Sequence, residues 1–270
     1  LVSETDHEML VVHRNMTTTS EPPRDAVHRL FETVAAKTPH RIAIRFGHEK
    51  ISYGDLNSRS DQLARALIEK GIRAGDTVAV LAEPSPQMLE AWLAVLKVGG
   101  AYLPLDPDQR VRPKALAAAD ARIILTDGRI SQAKPWSSEG TEILEIGALS
   151  YGIDSSNDTF GKTNVSSETA ATILFHWESD NLIPIRLPHR GLVRLVKNTD
   201  YATLGAHEVF LLGGAPTSDR CLLEVWGPLL NGGVVAVPQG LRTPANLAET
   251  ICKQRVSSLV LTSAELTELM

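Results

Sequence analysis

Cysteine is scarce in this sequence, and long apolar runs and concentrated positive charge are missing. Two of the 270 residues are cysteines, Cys221 and Cys252, and they lie too far apart for paired metal ligands. This excludes a disulfide-rich scaffold and predicts two buried, free thiols. No apolar run approaches the ~20 residues of a membrane span, and residues 1–10 lack the basic and apolar regions of a signal peptide. We therefore expect a cytoplasmic protein that does not contact a membrane.

Charged residues and histidines are spread along the chain. Lys and Arg total 27 against 32 Asp and Glu, which gives a net charge of −5 without a lysine- and arginine-rich run. The surface is therefore not expected to bind nucleic acid. The eight histidines do not share the spacing of metal ligands. Hydrophobic residues make up 43% of the chain and charged residues 22%, as is usual for a globular protein with a sizeable core.

Strand and helix patterns alternate along most of the chain. Thr77–Leu81 is a continuous apolar segment of the kind found in parallel sheets that are buried on both faces. Thr172–Phe175 and Ser258–Leu261 are further predicted strands. Helices are predicted to begin at N-caps, such as Ser85 followed by Pro86. These repeated strand–helix–strand units predict an α/β fold, doubly wound, with mostly parallel sheets covered by helices.

Composition predicts the domain boundaries. Residues 1–24 are polar and contain Pro22 and Pro23, which predicts a linker. Residues 150–167 are rich in Ser, Asn, Asp and Thr, which predicts a surface loop. The remainder, 25–270, is therefore predicted to form sub-lobes at about 25–165 and 166–270.

Two segments carry a resemblance to a known family. ISYGDLNSRSDQLARAL, residues 51–67, and AWLAVLKVGGAYLPLDP, residues 91–107, resemble the LTYxELxxxANxLAxxL and LKAGxAYLPLDP motifs of the adenylation domains of nonribosomal peptide synthetases, members of the acyl-adenylate-forming superfamily. The resemblance implies the large N-terminal subdomain of an adenylate-forming enzyme. It also implies that 1–24 links an upstream condensation domain to a truncated adenylation-like domain at 25–270. Helix ends and turns account for both motifs, so they indicate fold rather than chemistry.

The sequence departs from the family at the ATP-phosphate loop. Adenylation domains follow the matching strand with YTSGSTGxPKG, in which glycines let backbone amides approach phosphate while a lysine supplies positive charge. Here the corresponding stretch has neither glycine nor that lysine. The residues of this degenerate loop are His176, Trp177, Glu178, Ser179, Asp180 and Asn181.

Acidic residues make this stretch less suited to a nucleotide. Glu178 and Asp180 place negative charge where the resemblance puts the triphosphate. At ~4 Å and an effective dielectric of about 20, each pair of unit charges repels by about 4 kcal/mol. ATP and Mg are expected for the family, but their binding here is predicted to be lost, so no cofactor is expected.

The amino-acid pocket is altered as well. The family's FDxS motif, whose aspartate pairs with the substrate ammonium, falls on Ser218, Asp219, Arg220 and Cys221. Asp219 keeps the carboxylate as a vestigial substrate-binding residue, and the adjacent Arg220 is expected to neutralise it. The alternative is that Asp219 serves only as a helix cap or first-turn acid.

These departures predict a pseudoenzyme with no catalytic residue of its own. The family's adenine- and magnesium-binding YGPTE motif and C-terminal lysine would lie beyond Met270. We expect an inactive, truncated adenylation domain that positions neighbouring synthetase domains, whether condensation, carrier or inserted tailoring domains. One alternative is half of a split amino-acid adenylating ligase, which would form aminoacyl-AMP from ATP once another segment completes it. Another is a module that binds a ligand without chemistry.

Overall fold

The computed structural model describes residues 2–16, 20–106, 113–128, 141–150, 164–178, 181–240 and 243–269. The helices of this part of the chain are α1 (Glu4–His7), α2 (Val27–Lys37), α3 (Tyr53–Glu69), α4 (Pro86–Val98), α5 (Pro113–Ala118), α6 (Ile146–Ser150), α7 (His189–Val196), α8 (Asp219–Asn231), α9 (Pro244–Gln254) and α10 (Ser263–Leu269). Its strands are β1 (Ile42–Phe46), β2 (Glu49–Ser52), β3 (Thr77–Leu81), β4 (Ala101–Leu105), β5 (Ala121–Thr126), β6 (Glu142–Glu145), β7 (Ala170–Glu178), β8 (Asn181–Pro188), β9 (Val209–Leu211) and β10 (Val234–Val237).

Local capping rules set the ends of the central helices. Ser52 accepts a hydrogen bond from the Asp55 amide, and the Asp55 side chain accepts one from the Ser52 amide, so α3 begins with a capping box. Ser85 accepts from the Met88 amide at 3.2 Å to begin α4. Gly99 ends α4 with a φ of 89°, a left-handed conformation that suits glycine. The helix start predicted at Ser85 and Pro86 is confirmed.

The strands form two sheets. Six strands are ordered β6-β5-β3-β4-β7-β8, and four are ordered β2-β1-β10-β9. Pairing is parallel except between β1 and β2 and between β7 and β8. The predicted doubly wound α/β fold with mostly parallel sheets is confirmed.

The sheets do not follow the predicted sub-lobes at about 25–165 and 166–270. Strand β1 pairs with β10, although the two lie on opposite sides of that boundary. Strand β7 pairs with β4 in the other sheet. Parallel neighbours are joined through crossovers, so strands that lie close in the sequence need not share a sheet.

One hydrophobic core joins the two sheets through α4. It contains Val80 of β3 and Val235 of β10. Trp92 of α4 stacks on Tyr102 at a ring distance of 4.6 Å. Trp226 of α8 donates its indole N–H to the Tyr102 hydroxyl at 2.9 Å, which pairs two buried polar atoms. These three aromatic residues hold α4, β4 and α8 together.

The predicted linker contains helical turns. Helix α1 continues as a π-helical turn at Glu8–Val12 and a 3-10 turn at His13–Asn15. Leu10 and Val11 are 49% and 52% exposed on this segment. Among the described residues, no helix is both long and apolar enough to cross a membrane.

Two smaller predictions were wrong. Cys221 is buried, but Cys252 is exposed, because α9 packs on the body with few of its residues. The strand expected at Ser258–Leu261 is reduced to one parallel bridge between Ser258 and Phe210. That bridge nevertheless places the segment beside the edge strand β9.

Candidate functional site

A β-hairpin occupies the position that the resemblance gives to the phosphate loop. Strand β7 extends beyond the predicted Thr172–Phe175 and pairs with β8 as far as Glu178 opposite Asn181. His176 lies opposite Ile183 in the same register. The stretch that should wrap around phosphates is therefore mostly paired strand.

Strand pairing limits what this backbone can bind. A phosphate loop works because several successive amides point at the ligand, whereas amides in an antiparallel pair point alternately toward the partner strand and away from it. His176 lies in β7 with an exposed side chain. The backbones of Trp177, Glu178 and Asn181 lie in the hairpin, and their side chains are outside the described residues. Ser179 and Asp180 also lie outside the described residues, so the predicted charge repulsion stays a prediction.

Local sequence explains the hairpin. No glycine occurs between Phe175 and Pro188, and Trp177, Ile183 and Ile185 are residue types that favour strands. The hairpin joins the sheet at Thr172, which pairs with Tyr102 of β4 and donates its hydroxyl to the Tyr102 carbonyl at 3.0 Å.

Strand β8 is an edge of the six-stranded sheet. Ile183 and Ile185 of this strand are 38% and 43% exposed. Pro184 lies between them and has no backbone N–H to offer a further strand. The hairpin therefore presents apolar side chains, while its edge is poorly suited to strand addition.

Asp219 is the first residue of α8. Ser218 is the N-cap, and its hydroxyl accepts from the Cys221 amide at 3.3 Å. The exposed Asp219 carboxylate accepts from the adjacent Arg220 amide at 2.8 Å. An acid in the first helical turn is stabilised by the helix dipole. This geometry favours the capping alternative for Asp219 and leaves its carboxylate accessible.

Arg220 does not neutralise Asp219, and that prediction was wrong. Its Nε lies 3.2 Å from Oε1 of Glu224, one helical turn further along α8. Its Nη1 donates to Oε2 of Glu265 in α10 at 2.5 Å. The long side chain reaches both acids inside the fold, whereas Asp219 points to solvent.

The two carboxylates experience opposite environments. Burial raises the pKa of Glu224 to about 7, against the lowering effects of the Gly214 amide and Arg220. The hydrogen bond from Arg220 lowers the pKa of Glu265 to about 2, and the Thr262 amide adds to the effect. One guanidinium therefore pairs with two carboxylates. It lowers the pKa of the more exposed one, Glu265, whereas the pKa of Glu224 stays raised.

Sequence reasoning missed this cluster. Glu265 lies 45 positions from Arg220, too far for a local pattern to indicate the contact. The spacing of Thr262 and Glu265 is that of a capping box, and both of its hydrogen bonds are present. Helix α10 therefore begins after Thr262, which is its N-cap.

Metal ligation has no candidate in the described ranges, where no group of three or more His, Cys, Asp and Glu side chains could hold an ion. Two histidines do meet in the core. His28 of α2 and His189 of α7 contact edge to face with ring centroids 5.7 Å apart. Burial lowers the pKa of His28 to about 3 and that of His189 to about 4. Both are therefore neutral at physiological pH and serve packing.

The fold and the turn at the start of α8 define an open α/β protein of the adenylate-forming class. The AMP-binding enzyme family matches residues 31–174. The chain belongs to this family.

Known synthetases resemble the chain over nearly its whole length. It is 33% identical to a linear gramicidin synthase of Brevibacillus parabrevis over 97% of this chain and 3% of that protein. It is 30% identical to bacitracin synthase 1 of Bacillus licheniformis over 94% of this chain and 5% of that protein. The chain thus spans a small fraction of the curated relatives that it matches.

Solved structures share the architecture. The N-terminal subdomain of Klebsiella oxytoca NpsA in complex with anthranilyl-AMSN superposes with a TM-score of 0.77 at 25% identity, over 88% of this chain and 61% of that one. The nonribosomal peptide synthetase FmoA3 superposes with a TM-score of 0.85 at 24% identity, over 97% and 28% of the two chains. The second likeness concerns the fold alone.

Proposed function

We propose that this chain is a non-catalytic pseudo-adenylation domain of a nonribosomal peptide synthetase and that it positions neighbouring synthetase domains. The β7–β8 hairpin carries the proposal, because paired strands stand where a glycine-rich loop would wrap around phosphates. The packing motifs of α3, α4 and β4 are intact by contrast. The family match ends at Leu174, two residues before His176.

The same observation supports the absence of ATP and Mg as functional cofactors. Backbone amides that belong to a strand pair cannot converge on a triphosphate without breaking the pair. The replaced loop also lacks the lysine that would offset phosphate charge. We therefore expect no ATP binding at millimolar concentration.

The proposed partners are neighbouring domains of a synthetase, whether condensation, carrier or inserted tailoring domains. The matched relatives are many times longer than this chain, which supports protein neighbours on either side. The helical segment at residues 4–15 exposes Leu10 and Val11, and exposed apolar clusters commonly mark contact surfaces.

A second candidate is half of a split amino-acid adenylating ligase. Two observations favour it. Leu259 and Leu266 are exposed beyond β9, where a further segment would cover them. Asp219 still offers an exposed carboxylate at the start of α8. This candidate requires another segment to supply the nucleotide site.

ATP–pyrophosphate exchange with a panel of amino acids tests both candidates. The chain alone is expected to give no exchange above background, and robust exchange would overturn the proposal. Exchange that appears only after a segment with the YGPTE motif and the C-terminal lysine is added would favour the split ligase. A variant with the family's glycine-rich loop in place of residues 176–184 is the matched control, because it is expected to regain ATP binding by calorimetry.

A further inference from the structure

The carboxyl end of β9 and the segment at Ser258 lie side by side at one edge of the four-stranded sheet. Open α/β sheets bind ligands outside the carboxyl ends of their strands. Strand β9 ends at Leu211 and leads into Gly213 and Gly214. The segment at Ser258 runs parallel beside it and continues to Thr262. A ligand at this edge of the sheet would therefore lie between the glycine turn and Thr262.

The Arg220 side chain fills this position. Its guanidinium spans from Glu224, next to the glycine turn, to Glu265, which is hydrogen bonded to Thr262. The side chain is 15% exposed. A Cβ at Gly214 would lie only 3.0 Å from Arg220 Nε, so the guanidinium sits directly against the backbone of the turn.

The two carboxylates form a receptor for one cation. Oε2 of Glu224 accepts the Gly214 amide at 2.8 Å. Oε1 of the same residue is buried and accepts no hydrogen bond from the described residues, so the guanidinium at 3.2 Å is the charge that offsets it. Glu265 binds the other end of the guanidinium and also accepts from the Thr262 amide and hydroxyl.

We propose that Arg220 is a built-in occupant of a cation-binding crevice, where its guanidinium takes the place between Glu224 and Glu265 that a guanidinium or ammonium group of a ligand would take. The crevice is closed in the folded chain because the same side chain ties α8 to α10. Planar guanidinium groups suit such a site, since they offer two donor edges to two carboxylates. The inference goes beyond the proposed function and does not depend on it, because it concerns occupancy by a side chain and not ATP chemistry.

Chemical rescue of Arg220→Ala tests the inference. The variant leaves two acids without their cation, and its melting temperature is expected to fall by about 5–15 °C. Methylguanidinium at millimolar concentration is expected to restore about 2–4 °C in a saturable manner, because it binds the folded form. Sodium chloride at equal ionic strength is expected not to do so, and the original chain is expected to show no gain from methylguanidinium.

Two control variants make the rescue specific. Arg190 forms an exposed pair with Glu168, with both side chains more than half exposed, so Arg190→Ala is expected to show neither the fall nor the recovery. Adding Glu265→Gln to Arg220→Ala removes one carboxylate and is expected to abolish the recovery. The proposal would be overturned if methylguanidinium raised the melting temperature equally in either control. It would also be overturned if methylguanidinium did not raise the melting temperature of Arg220→Ala at any concentration in the range.

A second variant covers the case in which Arg220→Ala does not fold. Glu265→Gln keeps an acceptor for Thr262 but removes the charge that holds Arg220. Hydrogen exchange in α10 is then expected to accelerate by up to about tenfold, with α8 unchanged. Unchanged exchange in α10 would show that the guanidinium does not fasten this helix and would contradict the proposed closure.

Discussion

Two buried cations, Lys97 and Arg220, lie in different parts of the molecule and are paired differently. Lys97 of α4 donates to Asp61 at 2.6 Å, to the Asn57 carbonyl at 3.0 Å and to the Asn57 side chain at 2.9 Å. An ammonium has three donors, and each has an acceptor here. Asp61 of the neighbouring helix α3 lies closest to its charge, and Glu32 of α2 also stabilises the charged form.

Arg220 differs because its guanidinium contacts two carboxylates directly, Glu224 and Glu265, and the pKa of Glu224 nevertheless stays raised. The Lys97 cluster lies among the packing motifs that the chain shares with its family and holds α3 against α4. The Arg220 cluster lies near the carboxyl end of β9 in the four-stranded sheet, and open α/β sheets bind ligands at the carboxyl ends of their strands. The Lys97 cluster therefore fixes the structure, whereas the Arg220 cluster, in which the pKa of Glu224 is raised, is expected to respond to pH and to added cations.

Removing the Lys97 side chain is expected to have the largest effect. Lys97→Ala leaves Asp61 without its cation and opens a cavity, since the Lys97 side chain is fully buried. The free energy of unfolding is expected to fall by about 3–5 kcal/mol. Urea unfolding at neutral pH measures this loss.

Lys97→Met is the matched control. It keeps most of the side-chain volume, and the Asp61 side chain is 27% exposed and can reach water. The loss of unfolding free energy is expected to be at most half that of Lys97→Ala. Equal losses in the two variants would show that charge pairing, and not packing, is what this cluster contributes.

Glu224→Gln is expected to change how stability depends on pH. The pKa of Glu224 is raised by burial to about 7, so the folded chain retains a proton that the unfolded chain releases above about pH 4.5. This contribution is complete below pH 4.5 and is lost as pH rises through 7, a change of about 3 kcal/mol. Urea unfolding from pH 4.5 to 7.5 should show that Glu224→Gln lacks this decline.

Glu265→Gln provides the contrast. Arg220 lowers the pKa of Glu265 to about 2, so its contribution is present above about pH 4.5 and is lost only as pH falls toward 2. The decline between pH 4.5 and 7.5 should therefore persist in Glu265→Gln, although it should be smaller than in the original chain because Glu265 no longer raises the pKa of Glu224. A Glu224→Gln variant with the original slope would contradict the assignment of the decline to this carboxylate.

A comparison of the predicted with the observed fold shows which features local sequence patterns can predict. Buried parallel strands such as Thr77–Leu81 and the cap at Ser85 follow from local patterns and were predicted. The hairpin was missed because the stretch after Phe175 was compared with a glycine-rich loop. Its own apolar and β-branched residues favour strands, and that signal was available.

The ion pairs of Arg220 could not be predicted from local sequence patterns. Asp219 is adjacent in sequence, but a side chain at the start of a helix lies closer to residues one turn away than to its neighbour. Glu265 comes near because Ser258 pairs with β9 and brings the start of α10 within reach of the Arg220 side chain. Contacts of this kind depend on the assembled sheet and carry no short-range pattern.

The smallest expected effect comes from the buried histidine pair. Its influence on the pH dependence of stability must be distinguished from that of Glu224. Burial lowers the pKa of His28 to about 3, so protons bind the unfolded chain first as pH falls below about 6.5, and stability is lost in that direction. His28→Leu should remove about 2 kcal/mol of the loss between pH 7 and 5, because Nδ1 of His28 is buried without a hydrogen bond from the described residues. Burial also lowers the pKa of His189 to about 4, so His189→Leu should likewise be less sensitive to acid. Unlike His28→Leu, it should lose stability at pH 7, because His189 accepts the Val27 amide at 3.2 Å. Urea unfolding of both variants across this range decides the matter, and a His28→Leu variant as acid-sensitive as the original chain would place the acid lability elsewhere.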